Sequence, residues 1–264
     1  MRVNLLGPFE VHTGGSCVNA APAAQKVRQT LALLALNANR VVRSEQLMEE
    51  LWGDHPPVSA HTALQTYVYQ IRKRFELGNP RSGGHARGTA RPVLSTVDGG
   101  YHLALPAEHV DALRFEPLIA RARREFRAGD VPRARDAVAA ALTLWRDAAL
   151  VDVRKGAVLE AEALRLDELH TSADNLRIEA DLHLGRHHEL LGELTSRAAL
   201  EPTDEGVLRH LMTALYRTDR RSDALRVYQR ARRRIAEEFG LDPSPELQAL
   251  HTAILQSDES VLRP

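Results

Sequence analysis

The sequence predicts a mainly α-helical protein in which a mixed N-terminal region of helices and small β-sheets precedes an all-helical region. Short runs of alternating apolar and polar residues, bounded by Gly-Pro and Gly-Gly turns, occupy residues 1–20 and 93–105. Between them lie three segments with apolar residues at helical spacing. From residue 110 onward, alanine and leucine recur at helical spacing with only short polar interruptions.

The first elements follow from this patterning. Residues 3–6 and 9–12 alternate apolar and polar around the Gly7-Pro8 turn, which predicts two short strands. Residues 23–38 and 44–53 each carry a helical apolar stripe, and Gly53 is expected to end the second of these helices.

The third helix, predicted over residues 59–76, combines three properties. Ser59 is suited to begin it, and one apolar stripe runs along it, formed by Leu64, Val68, Ile71 and Phe75. Hydrogen-bonding side chains cover the rest of its surface, and it ends in the cationic sequence Arg72-Lys73-Arg74. A helix that lies in a DNA major groove requires this combination. The alternative is an ordinary surface helix whose C-terminal cations complement its dipole.

Composition limits the class of protein. Cys17 is the only cysteine in 264 residues, which excludes a disulfide framework and fits a reducing cytosol, so we expect a cytoplasmic protein. No apolar run approaches the roughly 20 residues of a membrane span, and the N-terminal sequence does not resemble a secretion signal. We therefore expect no association with membranes.

The net charge of zero hides an uneven distribution. Residues 59–91 contain six basic residues and one acidic residue, whereas the whole chain balances 35 basic with 35 acidic residues. A local basic patch on a neutral protein predicts a confined contact with a polyanion.

The order of elements and two motifs carry a resemblance to a known domain. YQIRKRF (69–75) closes the third helix, and TVDGGYHL (96–103) forms a predicted hairpin around Asp98-Gly99-Gly100. Residues 1–108 thus resemble the OmpR-type winged helix-turn-helix DNA-binding domain, in which the hairpin is the wing. This wing is one residue shorter than is usual in that family, and it has Asp98 where a basic residue is common. Arginines of the preceding loop are expected to supply the missing positive charge.

The spacing on the third helix selects candidate contacts with double-stranded DNA. At 3.6 residues per turn, one face presents the predicted base-reading residues, namely His61, Thr62, Gln65, Thr66, Tyr69 and Arg72. Tyr67, Lys73 and Arg74 are better suited to phosphates. The resemblance adds Lys26 and Arg28 at the first helix, and the loop adds Arg81, Arg87 and Arg91.

Residues 109–264 contain an internal repeat. The turns at Gly185-Arg186 and Asp219-Arg220, with the leucines and alanines that follow them, match at an offset of 34 residues. Gly129-Asp130 provides a third turn of the same kind at a different spacing. A period of 34 predicts a tetratricopeptide-like domain, in which each helix pair packs against its neighbours.

Catalysis is not indicated. The sequence has no GxxxxGK[ST] loop, and no GxGxxG follows a strand, so we expect no enzyme and no cofactor. His183 and His187 lack a third ligand at motif spacing, so we expect no metal site. The arginines at 230, 232, 233 and 234 could form a second polyanion site. A solvated helix face balanced by Glu237 and Glu238 is favoured instead.

Three further segments extend the resemblance over nearly the whole chain. Residues 142–153, 177–194 and 211–255, the last including EFGLDPSPEL (238–247), resemble the bacterial transcriptional activation domain of the Streptomyces antibiotic regulatory proteins. The resemblance implies a transcriptional activator of an antibiotic or other secondary-metabolite gene cluster. It further implies two protomers side by side on direct repeats near the promoter −35 element, and recruitment of RNA polymerase through its sigma factor or a flap contact. Two alternatives remain: a tetratricopeptide-like adaptor that does not bind DNA, and a hydrolase or metal enzyme in the helical half.

Overall fold

The computed structural model describes residues 1–13, 20–77 and 93–258, and within them the protein is mainly helical with two small sheets, as predicted. The strands are β1 Arg2–Asn4, β2 Glu10–His12, β3 Val41–Arg43, β4 Leu94–Val97 and β5 Gly100–Leu103. The helices are α1 Gln25–Leu36, α2 Ser44–Trp52, α3 Ala60–Leu77, α4 Asp111–Arg127, α5 Val131–Leu142, α6 Ala157–His183, α7 His187–Leu200, α8 Glu205–Arg217, α9 Arg221–Phe239 and α10 Pro245–Gln256. Among these described residues, no helix combines the length and apolar character needed to cross a membrane.

The chain divides into two compact units. The first comprises Met1–Arg121 and Ala139–Ala173, and the second comprises Ala122–Val138 and the chain from Asp174 onward. The first unit therefore contains the predicted N-terminal domain together with residues beyond position 108. The boundary between residues 108 and 109 stays a prediction.

In the first unit, three helices pack beside a three-stranded sheet. α1, α2 and α3 contact one another, and the sheet has the antiparallel order β3-β5-β4. Gly100 pairs with Arg43 of β3 and Val97 of β4. A Cβ at Gly100 would lie 2.3 Å from the Val42 carbonyl oxygen, so the close approach of β3 to the hairpin requires glycine there.

A two-stranded sheet at the N-terminus connects to residues far along the chain. The backbone N–H groups of Leu5 and Leu6 donate to the Asp111 carboxylate at 2.7 and 3.0 Å. The Arg146 N–H donates to the Leu6 carbonyl at 2.9 Å. The contact of Arg146 with Leu6 explains why the fifth helix is shorter than the sequence predicts. Alanines and leucines at helical spacing over residues 131–146 predict one helix of that length. The observed helix, α5, ends at Leu142, because the following residues turn toward the N-terminal sheet.

In the second unit, the helix pairs are joined by one repeated turn. Gly129, Gly185 and Asp219, the residues singled out by the sequence periodicity, all have positive φ, at 81°, 77° and 60°. In each turn the next residue donates its N–H to the carbonyl five residues earlier, at 2.9–3.0 Å. This is the hydrogen-bond pattern of the Schellman motif, which ends a helix in a left-handed residue. The helical-repeat prediction is confirmed.

The core of the second unit contains leucines from α7, α8 and α10 together with aromatic and aliphatic residues of α6 and α9. Beside this core lies an ion-pair network. The Asp174 carboxylate, 9% exposed as a residue, pairs with Arg177 at 2.8 Å and with Arg197. Burial alone would raise the pKa of Asp174, but the hydrogen bonds and charges of the two arginines outweigh it, and the pKa is lowered.

Candidate DNA-binding surface

α3 is held against the first unit by one buried stripe. Leu64, Val68 and Ile71 are each at most 1% exposed, and Phe75 is half-buried one turn later. Burial of these side chains fixes the rotation of the helix about its axis, because any other rotation would expose them. The residues between them in sequence must then face away from the core.

The outer face of α3 presents polar side chains. His61, Thr62, Gln65, Thr66 and Tyr69 are all exposed, as the predicted base-reading face requires. Tyr69 is 63% exposed, which is unusual for a large aromatic residue on a well-packed helix. The Thr66 hydroxyl donates to the Thr62 carbonyl at 2.9 Å. Five side chains with polar atoms therefore share one solvent-facing surface, and their contact with bases stays a prediction.

Arg72, the sixth residue of the predicted base-reading set, contacts the wing. Its Nε donates to the Leu94 carbonyl at 2.9 Å, and its Nη2 donates to the Thr96 hydroxyl at 2.8 Å. Both acceptors lie on β4, so the half-buried guanidinium joins α3 to the hairpin. A contact of Arg72 with guanine would have to replace or share these bonds.

Lys73 and Arg74 extend the polar face at the C-terminal end of α3. Both are exposed, and among the described residues Arg74 makes one long hydrogen bond, from Nη1 to the Ala21 carbonyl at 3.4 Å. The two side chains are thus accessible cations beside the exposed face, which is where phosphates would flank a groove-bound helix.

Lys26 and Tyr67 belong to a stack around Trp52. The Lys26 ammonium donates to the Leu51 carbonyl at 2.6 Å and lies 4.7 Å from the centre of the Trp52 ring. The Tyr67 ring stacks on the same tryptophan with centroids 6.3 Å apart. Burial, and to a smaller extent the nearby charge of Arg154, lowers the pKa of Lys26. The stack ties α1, α2 and α3 together at one point.

Arg28 is bound within the protein. Its Nε donates to the Pro22 carbonyl at 3.1 Å, and its Nη1 lies 2.6 Å from Asp152 Oδ2. Asp152 in turn accepts the N–H of Phe9 at 2.7 Å. The guanidinium therefore connects α1 to the segment before α6, and a phosphate would have to compete with Asp152 for it. The remaining predicted phosphate contacts, Arg81, Arg87 and Arg91, lie outside the described residues.

Glu50 is a buried acid that the sequence did not single out. It is 3% exposed, and its carboxylate accepts the backbone N–H groups at the start of α6, from Gly156 at 2.6 Å, Val158 at 2.9 Å and Leu159 at 3.1 Å. Gln29 Nε2 donates to the same carboxylate at 2.9 Å. Glu50 thus satisfies the free donors of a helix N-terminus more than 100 residues away.

Gly156 allows the start of α6 to lie close to α2, because a Cβ at this position would lie 2.1 Å from the Glu50 carbonyl oxygen. Glu50 lies on α2, which packs against α3, so it supports the candidate surface without belonging to it. An acidic residue on a predicted buried helix face was the sequence signal that could have found it.

Two family models match this chain. The bacterial transcriptional activator domain matches residues 110–255, and the C-terminal domain of transcriptional regulatory proteins matches residues 20–83. The second match contains α1, α2 and α3, and the first begins next to the short 3-10 helix that follows the hairpin.

Known relatives are similar along the whole chain. Regulatory protein DnrI of Streptomyces peucetius is 40% identical, over 100% of this chain and 95% of DnrI. Regulatory protein AfsR of Streptomyces griseus is 32% identical over 100% of this chain, which spans 25% of AfsR. The structure of Mycobacterium tuberculosis EmbR in complex with a low-affinity phosphopeptide superimposes with a TM-score of 0.85 at 32% identity, covering 99% of this chain and 68% of EmbR. The chain therefore belongs to the Streptomyces antibiotic regulatory protein family of transcriptional regulators, with an OmpR-type winged helix-turn-helix and a bacterial transcriptional activator domain.

Proposed function

We propose that this protein activates transcription of a secondary-metabolite (antibiotic) gene cluster by binding tandem direct repeats near the promoter −35 element and recruiting RNA polymerase. The observation that carries the proposal is the division of α3 into a buried stripe and an exposed polar face. The protein acts by binding, and no step of this function requires catalysis or a cofactor.

The exposed face of α3 has the chemistry for direct readout in the major groove. Gln65 can make a bidentate pair with adenine, and the methyl groups of Thr62 and Thr66 can contact the methyl of thymine. His61 and Tyr69 extend the face at either end. Arg72 can pair with guanine when it exchanges its bonds to the wing, so that base contact and wing position would be linked.

Phosphate contacts would fix the register of the helix on DNA. Lys73 and Arg74 are exposed and adjacent to the base-reading face, so they are the first candidates. We propose Tyr67, Lys26 and Arg28 as further contacts, although the two cations make bonds within the protein. The loop arginines Arg81, Arg87 and Arg91 would add charge beside the wing.

A single copy of this surface supplies few charges, and the whole protein has no net charge. Affinity for one site should therefore be modest and sensitive to salt. Two protomers bound side by side on direct repeats would gain from avidity, with the repeats spaced by about 10.5 bp or a multiple of it. The surface they present together would contact the sigma factor of the polymerase holoenzyme.

The test is a gel shift and footprint of the full chain on upstream regions of neighbouring genes, at low and at moderate salt. Gln65→Ala removes one base-reading amide, whereas Gln256→Ala removes an exposed amide of α10 and serves as the matched control. We expect protection over tandem repeats that salt weakens and only Gln65→Ala reduces. A reduction of roughly tenfold corresponds to the loss of one good base contact.

No protection on any fragment at low salt would contradict DNA binding and would favour the adaptor function. Protection that both variants reduce equally would contradict base reading by α3. Recruitment is tested separately, by adding polymerase holoenzyme to the protein–DNA complex and asking whether open-complex formation increases.

A further inference from the structure

Arg72 joins α3 by hydrogen bonds to the wing, the hairpin of β4 and β5. Among the described residues, its bonds to the Leu94 carbonyl at 2.9 Å and to the Thr96 hydroxyl at 2.8 Å are the only hydrogen bonds between α3 and the wing. α3 packs against α1 and α2, and its backbone makes little contact with either described strand of the hairpin. The position of the wing relative to α3 therefore depends in part on one guanidinium.

The register of the hairpin makes the Leu94 carbonyl available to Arg72. β4 is an edge strand, since the sheet has the order β3-β5-β4. The Val93 carbonyl accepts the Ala104 N–H at 2.7 Å, and hydrogen-bonded and non-hydrogen-bonded pairs alternate along an antiparallel ladder. Leu94, paired with Leu103, is therefore at a non-hydrogen-bonded position, and its carbonyl points away from β5. Arg72 supplies the donor that the ladder does not.

Thr96 occupies the next position of the same kind on β4. It pairs with Tyr101, and because it lies two residues after Leu94 its side chain is on the same face of the hairpin. The guanidinium of Arg72 spans both residues, since Nε bonds the first and Nη2 bonds the second. Attachment at two points fixes the direction of the strand relative to α3, which a single bond would not do.

Two roles are open to Arg72 when the protein binds DNA. It could leave β4 and pair with guanine, or it could stay and hold the wing. Bidentate reading of guanine takes two nitrogens of the fork, and two of its three nitrogens already bond β4. Departure would also leave the carbonyl of Leu94, a residue that is 1% exposed, without its donor. The geometry therefore favours the second role.

We propose that Arg72 keeps its bonds to β4 in the DNA complex and positions the wing, with Thr96 as the residue that holds it there. The proposal rests on the proposed DNA-binding function, and it assigns base reading to the other five residues of the exposed face. A wing that is held before binding lets α3 and the hairpin meet one DNA site without a further loss of conformational freedom. Arg72 and Thr96 are then positioning residues, and neither needs to contact a base.

The first experiment is a gel-shift titration of the full chain on the duplex that the footprint identifies. Thr96→Val removes the hydroxyl but keeps the shape of the side chain, and it should weaken binding roughly threefold to tenfold. Thr96→Ser keeps the hydroxyl and should change the Kd by less than about twofold. Ser95→Ala is the matched control on the same strand, because the Ser95 hydroxyl lies 3.4 Å from the His102 carbonyl within the hairpin. The double variant Arg72→Ala/Thr96→Val should bind no more weakly than Arg72→Ala, because both changes break one contact.

The second experiment measures where the wing lies on DNA. In a Cys17→Ser background, Asp98→Cys at the exposed tip of the hairpin carries an iron-EDTA reagent that cuts nearby DNA. We expect one narrow cluster of cuts, which Thr96→Val displaces or broadens while the protection over the repeats remains. A loss of stability alone would lower the yield of cuts without moving them.

The third experiment asks whether Arg72 reads a base. The guanines of the same duplex are replaced one at a time by 7-deazaguanine, which lacks the N7 acceptor. If Arg72 positions the wing, Arg72→Ala should weaken binding by the same factor on every substituted duplex as on the parent duplex.

Three results would overturn the proposal while leaving DNA binding intact. The first is a Thr96→Val variant that binds as tightly as the unsubstituted chain, or more tightly, with its cuts in the same place. The second is additive losses in the double variant, which would mean that Arg72 and Thr96 contact DNA independently. The third is a 7-deazaguanine that weakens binding of the unsubstituted chain but not of Arg72→Ala, which would indicate base reading.

The failure of the DNA-binding function itself gives a different result. In that case the unsubstituted chain would not shift any fragment at low salt, and the wing proposal would fall with it. Thermal unfolding of each variant checks that the first unit stays folded, and Thr96→Ser keeps the comparison valid if Thr96→Val unfolds.

Discussion

Glu50→Gln tests whether the buried carboxylate on α2 holds the start of α6. The change keeps the shape of the side chain but removes its charge and turns one acceptor into a donor. The carboxylate accepts three backbone N–H groups, from Gly156, Val158 and Leu159. A single amide oxygen cannot serve all three, and the new NH₂ would face donors.

The expected loss follows from those bonds. A hydrogen bond to a charged group contributes about 1.5–3 kcal/mol, and a buried donor left without an acceptor costs about 1–3 kcal/mol. With part of the interaction kept by the amide oxygen, Glu50→Gln should lower the free energy of unfolding by roughly 2–4 kcal/mol. For a unit of this size, a loss of about 3 kcal/mol lowers the Tm by roughly 6–12 °C.

The assay is urea and thermal unfolding of the full chain, followed by circular dichroism. Glu49→Gln is the matched control, because Glu49 is the preceding residue of the same helix and is exposed. It should change stability by less than about 0.5 kcal/mol. If Glu50→Gln is no more destabilising than Glu49→Gln, the carboxylate does not hold α6 in the way the hydrogen bonds indicate.

Three further predictions concern packing and pH. Gly100→Ala should lower the free energy of unfolding of the first unit by about 2 kcal/mol or more, because its Cβ would lie 2.3 Å from a carbonyl oxygen of β3. Urea unfolding measures this loss, and an unchanged urea midpoint would contradict the prediction. Gly192→Ala should stabilise the second unit by about 0.5–1 kcal/mol, because a Cβ there meets no atom within 4 Å on a helix; a lowered Tm would refute this. The pKa of Asp174 is lower in the folded than in the unfolded state, so its charged form stabilises the folded state at pH values above its unfolded pKa of about 4. This stability is lost as the pH falls through the folded pKa. Asp174→Asn should therefore make the free energy of unfolding fall less steeply as the pH is lowered. Asp136→Asn, at an exposed position of α5, should leave this pH dependence unchanged.

Most of the fold could be predicted from local patterns in the sequence. The stripe of α3 and the positive-φ turns of the helical repeat depend on spacing within a few residues, which a sequence displays directly. The Leu142 end of α5 was missed because it depends on a contact with the N-terminal sheet, and such a contact leaves no periodic signal.

In the candidate site, too, local features could be predicted from the sequence and long-range contacts could not. Exposure of the five polar residues on α3 follows from the helical period, and the structure places them as expected. The bonds of Arg72 to β4 and of Arg28 to Asp152 could not be predicted, because they join residues 22 and 124 positions apart. Arg72 is predicted from its place on the helix face and Arg28 from the resemblance, and neither argument says whether an internal acceptor is within reach.

The hydrogen bonds that Asp111 and Glu50 make with distant parts of the chain also affect how DNA binding should be measured. A fragment ending at residue 108, the predicted domain boundary, would lack Asp111, which accepts the N–H groups of Leu5 and Leu6. It would also lack the three backbone donors at the start of α6 that Glu50 accepts. Each hydrogen bond to these carboxylates contributes about 1.5–3 kcal/mol, against a total stability of roughly 5–15 kcal/mol for a typical protein. Such a fragment could unfold even if α3 reads DNA as proposed. Binding experiments should therefore use the full chain, because only there do Glu50 and the N–H groups of Leu5 and Leu6 keep all of these partners.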